Sequence, residues 1–250
     1  RHYILNQIDK QLYKNLVEED EKDLYKIKLR RYQFLSAMLK QASKNIDKGY
    51  IDKNVVSKLS QSFVENSFRN RSSSYKENIE KFKEKEGVYP PNFIVLSPTQ
   101  KCNLNCTGCY AGSTAKSTPT LSYSIVDKIV SDAYHRFDNR FMTISGGEPF
   151  MYKSEGKTLL DIFEKYNDMF FLVYTNGTLI TREVAQKLSE LGNVSPAISV
   201  EGFEKETDER RGKGIHQKIR KAFANLREAG VPFGISATGT NQNVDILLDN

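Results

Sequence analysis

The chain has 250 residues, room for one large domain or two modest ones, and its 38% hydrophobic content can supply a sizeable core. Its apolar runs are too short to span a bilayer, and charges dot the first thirty residues, so we expect neither a membrane span nor a secretory leader. With 27% charged residues, 15 Gly and 7 Pro, it is neither collagen-like nor compositionally disordered. The net charge of +6 lies wholly in residues 1–90, which hold 19 Lys and Arg against 13 Asp and Glu; the remainder holds 18 of each. At that density a solvated helical surface explains the basicity better than a nucleic-acid site, and nucleic acid is not an expected partner.

From Arg1 to about Lys85, apolar residues recur at helical spacing. Leu5, Ile8, Leu12 and Leu16 form one stripe, Leu35, Met38 and Leu39 a second, and Val55, Val56, Leu59 and Phe63 a third. The pattern predicts an all-helical region over 1–88. Gly87-Val88-Tyr89-Pro90-Pro91 ends it, because proline lacks the amide hydrogen and restricts the residue before it.

Short apolar runs then alternate with longer helical stretches over 89–250. Strands are expected at 93–96, 141–144, 170–174, 197–200 and 234–238, and helices at 122–137, 158–166, 182–191 and 216–229, with Gly192 and Gly230 as stops after the last two. This alternation predicts an α/β fold with a parallel sheet, closed as a barrel or doubly wound. Five strands are visible and the chain starts with Arg1 rather than methionine. We read it as a fragment that stops after the fifth strand.

All three cysteines, Cys102, Cys106 and Cys109, fall within eight residues directly after the first strand. Such an odd, clustered set is a poor disulfide framework and points to a reducing compartment, here the cytoplasm, and to metal or cluster binding. Three thiolates can hold three irons of a 4Fe-4S cluster and leave the fourth open to a ligand. Structural zinc would want a fourth ligand, and His2, His135 and His216 have no suitable spacing to the cysteines. Inert core thiols fit poorly with the intervening Asn103, Asn105, Thr107 and Gly108.

Further motifs stand at the ends of the next three strands. Ser145-Gly146-Gly147-Glu148-Pro149 follows the second; its glycines would let backbone approach a ligand, and the Glu148 carboxylate could accept from a ligand ammonium. Thr175-Asn176-Gly177 closes the third. Ser199-Val200-Glu201-Gly202 closes the fourth, ahead of a charged stretch, Thr207 to Gly212, in which Arg210 reads as a solvated charge of an exposed loop.

Taken together, Cys102-x3-Cys106-x2-Cys109, the Gly-Gly-Glu turn and the Thr-Asn-Gly turn resemble the radical S-adenosylmethionine (SAM) superfamily, whose core is a partial (βα) barrel. The resemblance covers roughly Pro91 to Asn250. Many members carry an aromatic residue just before the last cysteine, where Gly108 stands here with Tyr110 beyond Cys109.

The resemblance implies that Cys102, Cys106 and Cys109 hold a 4Fe-4S cluster. It further implies that Ser145, Gly146, Gly147 and Glu148 orient SAM, with Glu148 on its amine, that Thr175 and Asn176 lie near the ribose, that Ser199 and Arg211 bind its carboxylate, and that Tyr110 neighbours the adenine. It also implies an enzyme whose reduced cluster cleaves SAM to methionine and a 5′-deoxyadenosyl radical, which abstracts hydrogen from an unidentified substrate. A low-potential donor, flavodoxin or ferredoxin, and anaerobic conditions would go with that chemistry, and the basic region 1–90 would suit an acidic donor. The alternative is a non-catalytic iron-sulfur or zinc module that senses redox state.

Overall fold

A computed structural model describes residues 2–18, 23–58, 73–91, 93–114, 116 and 119–249. The chain divides into two compact units, Arg1–Tyr50 and Ile51–Asn250.

In the first unit, α1 (His2–Tyr13) runs through a π-helical turn, Lys14–Glu18, towards α2 (Tyr25–Asp47). The Tyr32 hydroxyl donates to Asp9 Oδ2 at 3.1 Å, and the Tyr13 and Tyr32 rings meet edge to face at 5.0 Å. Val17 and Ser36 are buried. The described residues of the N-terminal region are helical as expected; Leu59 and Phe63 lie outside them.

The second unit begins with a helical stretch over 53–58 that leans on the α/β core: Asp52 N–H donates to Gly230 O at 2.8 Å and Asn54 Nδ2 to Ser189 O at 3.0 Å. The helix α3 (Ser73–Glu86) touches the same core, through Phe82 edge to face on Phe137 and Glu86 paired with Arg136 at 3.3 Å.

The core is strand-helix alternation. In order come β1 (Val95–Leu96), α4 (Tyr123–His135), β2 (Phe141–Ile144), a 3-10 turn (Pro149–Met151), a small hairpin of β3 (Lys153–Ser154) and β4 (Lys157–Thr158), and α5 (Leu159–Lys165). Then follow β5 (Phe170–Thr175), α6 (Arg182–Leu191), β6 (Val194–Ser199), α7 (Glu204–Arg211), α8 (Ile215–Glu228), β7 (Gly234–Ser236) and α9 (Val244–Leu248). The five longer-range strands pair in parallel in the order β1-β2-β5-β6-β7, open at both edges, as a partial barrel requires.

Local chemistry sets the helix limits. The Ser122 and Thr181 hydroxyls accept from Ile125 and Val184 N–H at the starts of α4 and α6, while Gly192, at φ +70°, closes α6 in the left-handed region. Asp161 accepts from both the N–H and the hydroxyl of Thr158, at 2.8 and 2.9 Å, and starts α5. Four helices, α4, α5, α6 and α8, lay apolar stripes on the sheet: Val126 and Val130, Ile162 and Phe163, Leu188, Ile219 and Leu226 pack with Met142, Ile144, Phe171, Val173 and Ile198.

Several strand limits differ from the sequence reading, by one residue at the ends of the third (Thr175) and fourth (Ser199) strands and by more at three other limits. The first strand is only Val95–Leu96, because it is an edge strand preceded by two prolines. The fourth starts at Val194 rather than 197; Pro196 had masked it, yet Pro196 pairs with Val173 below the first residue matched to β7, Ala197. The fifth ends at Ser236 rather than 238. The stretch Thr207–Gly212 is not a loop, since α7 occupies Glu204–Arg211.

Candidate functional site

Side chains at alternate positions of a strand face opposite sides of the sheet. Helices cover the side that carries Ile144, Val173 and Ile198. On the other side Val95, Thr143, Ser145, Tyr174, Ser199 and Ser236 line a cavity of 420 Å³. Cys102, Cys106 and Cys109 line it too, with Tyr110, Gly146, Gly147, Thr175, Asn176, Arg210 and Arg211. One cavity thus gathers all the singled-out residues but one.

The exception is Glu148. It was expected to meet a ligand ammonium, but it is fully buried and does not line the cavity. Its carboxylate accepts from Phe150 N–H at 3.1 Å, from the Thr175 hydroxyl at 2.7 Å and from Asn176 N–H at 2.8 Å. Pro149 opens the 3-10 turn behind it, and the Glu148 side chain caps that turn and crosses to β5. Burial pushes its carboxyl pKa up, against these donors, which pull it down. Here Glu148 joins the ends of β2 and β5.

The glycine pair was expected to admit a ligand, and it admits backbone as well. Gly147 N–H donates to Thr99 O at 2.9 Å and Glu148 N–H to Lys101 O at 2.7 Å. A Cβ on Gly147 would collide with the Lys101 and Gln100 carbonyls, and one on Gly146, at φ +125°, with Thr99 O. The β2 turn is therefore seated flush on the segment that leads into the cysteines.

Around the thiols, Cys102 is buried and Cys106 and Cys109 are half-buried. Asn176 Nδ2 donates to Cys102 Sγ at 3.8 Å and to Asn103 Oδ1 at 2.8 Å, and Asn103 Nδ2 reaches Thr178 Oγ1 at 2.8 Å. Arg211 Nη1 donates to Cys106 Sγ at 3.9 Å. Burial pushes the Cys102 and Cys106 thiols up, and Arg211 draws Cys106 the other way.

Arg210 is not the solvated charge expected of it. Its Nη1 pairs with Glu201 Oε1 at 2.7 Å, and Arg211 meets the same carboxylate through Nε and Nη2, each at 2.6 Å. Glu201 is only 2% exposed. For Arg211, burial works to lower the pKa and the Glu201 carboxylate outweighs it, so the net direction is up. Tyr110 stands at the rim, 83% exposed, with its hydroxyl 2.7 Å from Ser145 Oγ.

The sequence reading missed Glu201, Phe93, Val95 and Tyr174. Strand alternation from Thr143 and Ser145 would have found the cavity side of β1 and β5. No short-range signal marks Glu201.

The donor set suits an iron-sulfur cluster. Among the described residues, no three His, Cys, Asp or Glu side chains converge to hold a single ion. A cluster asks for no such convergence, because each thiolate binds its own iron. The N–H groups aimed at two of the three sulfurs suit anionic thiolates.

Comparison with known proteins agrees. Residues 96–248 match the family model of the radical SAM superfamily, and the chain belongs to that superfamily. Its members use a 4Fe-4S cluster and SAM. Among curated relatives, the Fe-coproporphyrin III synthase of Methanosarcina barkeri is 32% identical over 152 residues, 60% of this chain and 38% of that protein. The mycofactocin maturase MftC of Mycolicibacterium smegmatis is 33% identical over 171 residues, 68% of this chain and 42% of that protein. The chain thus spans about four tenths of the length of these relatives. In fold it resembles Streptococcus suis SuiB bound to the precursor peptide SuiA, with a TM-score of 0.55 and 21% identity over 70% of this chain and 40% of SuiB. The family match does not favour the non-catalytic sensor. No described helix is long and apolar enough to cross a membrane.

Proposed function

We propose that this chain carries the catalytic core of a radical SAM enzyme, with the chemistry assigned to 89–250 and the basic helices of 1–88 accessory to it. The observation that carries the proposal is the single cavity shared by the three cysteines, the Gly146-Gly147 turn, Asn176, Ser199 and the two arginines. Cys102, Cys106 and Cys109 would hold the cluster. When bound and reduced, the cluster supplies an electron that parts a carbon–sulfur bond of SAM, giving methionine and a 5′-deoxyadenosyl radical that takes a hydrogen atom from substrate.

The chain's own residues then bind and orient. Gly146 and Gly147 present backbone beside the cysteine loop, Ser145 and Ser199 offer hydroxyls from adjacent parts of the cavity wall, and Thr175 and Asn176 line the wall between them. Tyr110 closes over the rim from its contact with Ser145. Phe93, Val95 and Tyr174, exposed by 60, 53 and 39% on the cavity face, form the apolar wall against which a substrate would pack. A reducing, cytoplasmic setting and an acidic flavodoxin or ferredoxin as donor belong to this reading.

The test is anaerobic reconstitution with iron and sulfide, followed by electron paramagnetic resonance of the reduced protein with and without SAM. A 4Fe-4S signal that changes on adding SAM supports the proposal. A cluster indifferent to SAM, or zinc in place of iron, overturns it.

A further inference from the structure

The stretch between the second and third cysteines has little internal hold. Within it, Cys109 N–H reaches Cys106 O at 3.2 Å. Three of its backbone polar groups turn to α7. Thr107 N–H donates to Arg210 O at 2.9 Å, while the Arg210 side chain donates through Nε to Thr107 O at 3.2 Å and through Nη2 to Gly108 O at 3.5 Å. One residue of the helix end thus holds three peptide groups of the loop.

Neither arginine is free to swing. Glu201, two residues beyond the end of β6, fixes both, and its own backbone is tied by Asn243 Nδ2 to its O at 2.9 Å and by its N–H to Thr207 Oγ1 at 3.3 Å. With Nε and Nη2 of Arg211 taken by Glu201, Nη1 is left pointing at Cys106 Sγ. Three of the five N–H donors of Arg211 are thus engaged, and the side chain is held beside Cys106. A buried carboxylate shared by two guanidiniums is costly to desolvate and rigid once formed, so it serves position better than stability.

We propose that Glu201, Arg210 and Arg211 form a latch on the cysteine loop: Arg210 fixes the peptide between Cys106 and Cys109, Arg211 donates to the Cys106 sulfur, and Glu201 orients both. They are positioning residues. The inference rests on the reading that the cysteines hold a cluster, and it has two separable consequences.

The first needs no metal. In the metal-free chain the Thr107 amide, protected by Arg210 O, should exchange with deuterium at least tenfold faster in Glu201→Gln and in Arg210→Gln, with exchange across Phe170–Thr175 unchanged as the check on folding. Glu201→Asp, which keeps the charge, should recover part of the protection. Unchanged exchange at Thr107 in both variants overturns the latch.

The second is read on the reconstituted protein by a redox titration followed by electron paramagnetic resonance. Removing the cation and donor beside Cys106 (Arg211→Gln) should lower the cluster potential, and removing the anion behind it (Glu201→Gln) should raise it. Shifts in the same direction would mean that both changes act only by loosening the fold, and would overturn the assignment of Arg211 to the sulfur. A wild-type chain that assembles no 4Fe-4S cluster would sink the cluster reading, and the exchange experiment would still decide the latch.

Discussion

The two faces of the same five strands do different work. On β6, Ile198 is completely buried beneath the helices, while its neighbour Ser199 lines the cavity with the cysteines. On β5, Phe171 and Val173 are buried and Tyr174 stays 39% exposed. The covered face is dominated by apolar, close-packed side chains, so it gains chiefly from burial. The cavity face mixes Thr143, Ser145, Ser199 and Ser236 with large side chains left uncovered, an arrangement that gains little until something occupies it. One strand thus supplies stability and chemistry by alternation, and the two should separate under mutation.

The largest separation is expected on the covered face. Phe171→Ala should cost about 3–5 kcal/mol of stability through lost burial and the cavity left behind. Ile198→Ala should cost about 2–5 kcal/mol for the same reason. Denaturant melts measure both, and a cost under about 1 kcal/mol for either would break the comparison.

Next comes a change where the faces meet. Gly147→Ala drives a methyl into the Lys101 and Gln100 carbonyls, which are backbone and have little room to yield. Overpacking of this kind costs about 1–3 kcal/mol, but the sharper effect falls on the loop that begins at Cys102. Iron content after reconstitution should drop by more than the fall in melting temperature explains. Full iron content would show that the loop tolerates displacement.

On the cavity face, Ser199→Ala should leave stability within about 0.5 kcal/mol. If Ser199 binds SAM as proposed, losing one hydrogen bond should weaken SAM binding by about 2–10-fold, as calorimetry on the reconstituted protein would show. Paired with Ile198→Ala, adjacent in sequence and opposite in orientation, it asks the question at its narrowest.

Much of this contrast could be read before any coordinates. Helical stripes such as Val126 and Val130, the Gly192 stop and the strand-end motifs are local patterns, and local patterns survive folding. What stayed hidden was long-range. Nothing near Glu148 in sequence reveals that Thr175 and Asn176, 27 and 28 residues on, bond both its oxygens. Arg210 reads as a solvated loop charge because its partner, Glu201, lies across a turn and the helix α7 that carries it is strongly polar. Pro196 hid the start of β6, since a proline argues against a strand unless its missing amide falls where no neighbour needs it. For Glu148 and Arg210 the side chain is polar and its partners lie outside its own element.

The smallest effect concerns Tyr152, a residue of the covered core that nonetheless carries a titratable group. It is 1% exposed, and its pKa is pushed up to about 12, chiefly by burial and further by Glu155 and Tyr123, with Ser154 opposing. An unfolded chain releases that proton near pH 10. Below that pH both states keep it and stability is untouched; as pH rises towards 12, the unfolded state ionises first and is favoured, so stability falls. Tyr152→Phe has no proton to lose. Its stability relative to wild type should therefore rise between pH 9 and pH 11, as read from parallel denaturant melts, while near neutral pH the two chains should differ little. An unchanged difference between those pH values would mean that Tyr152 is open to water, and that the covered face is less closed near the β2 turn than its other residues indicate.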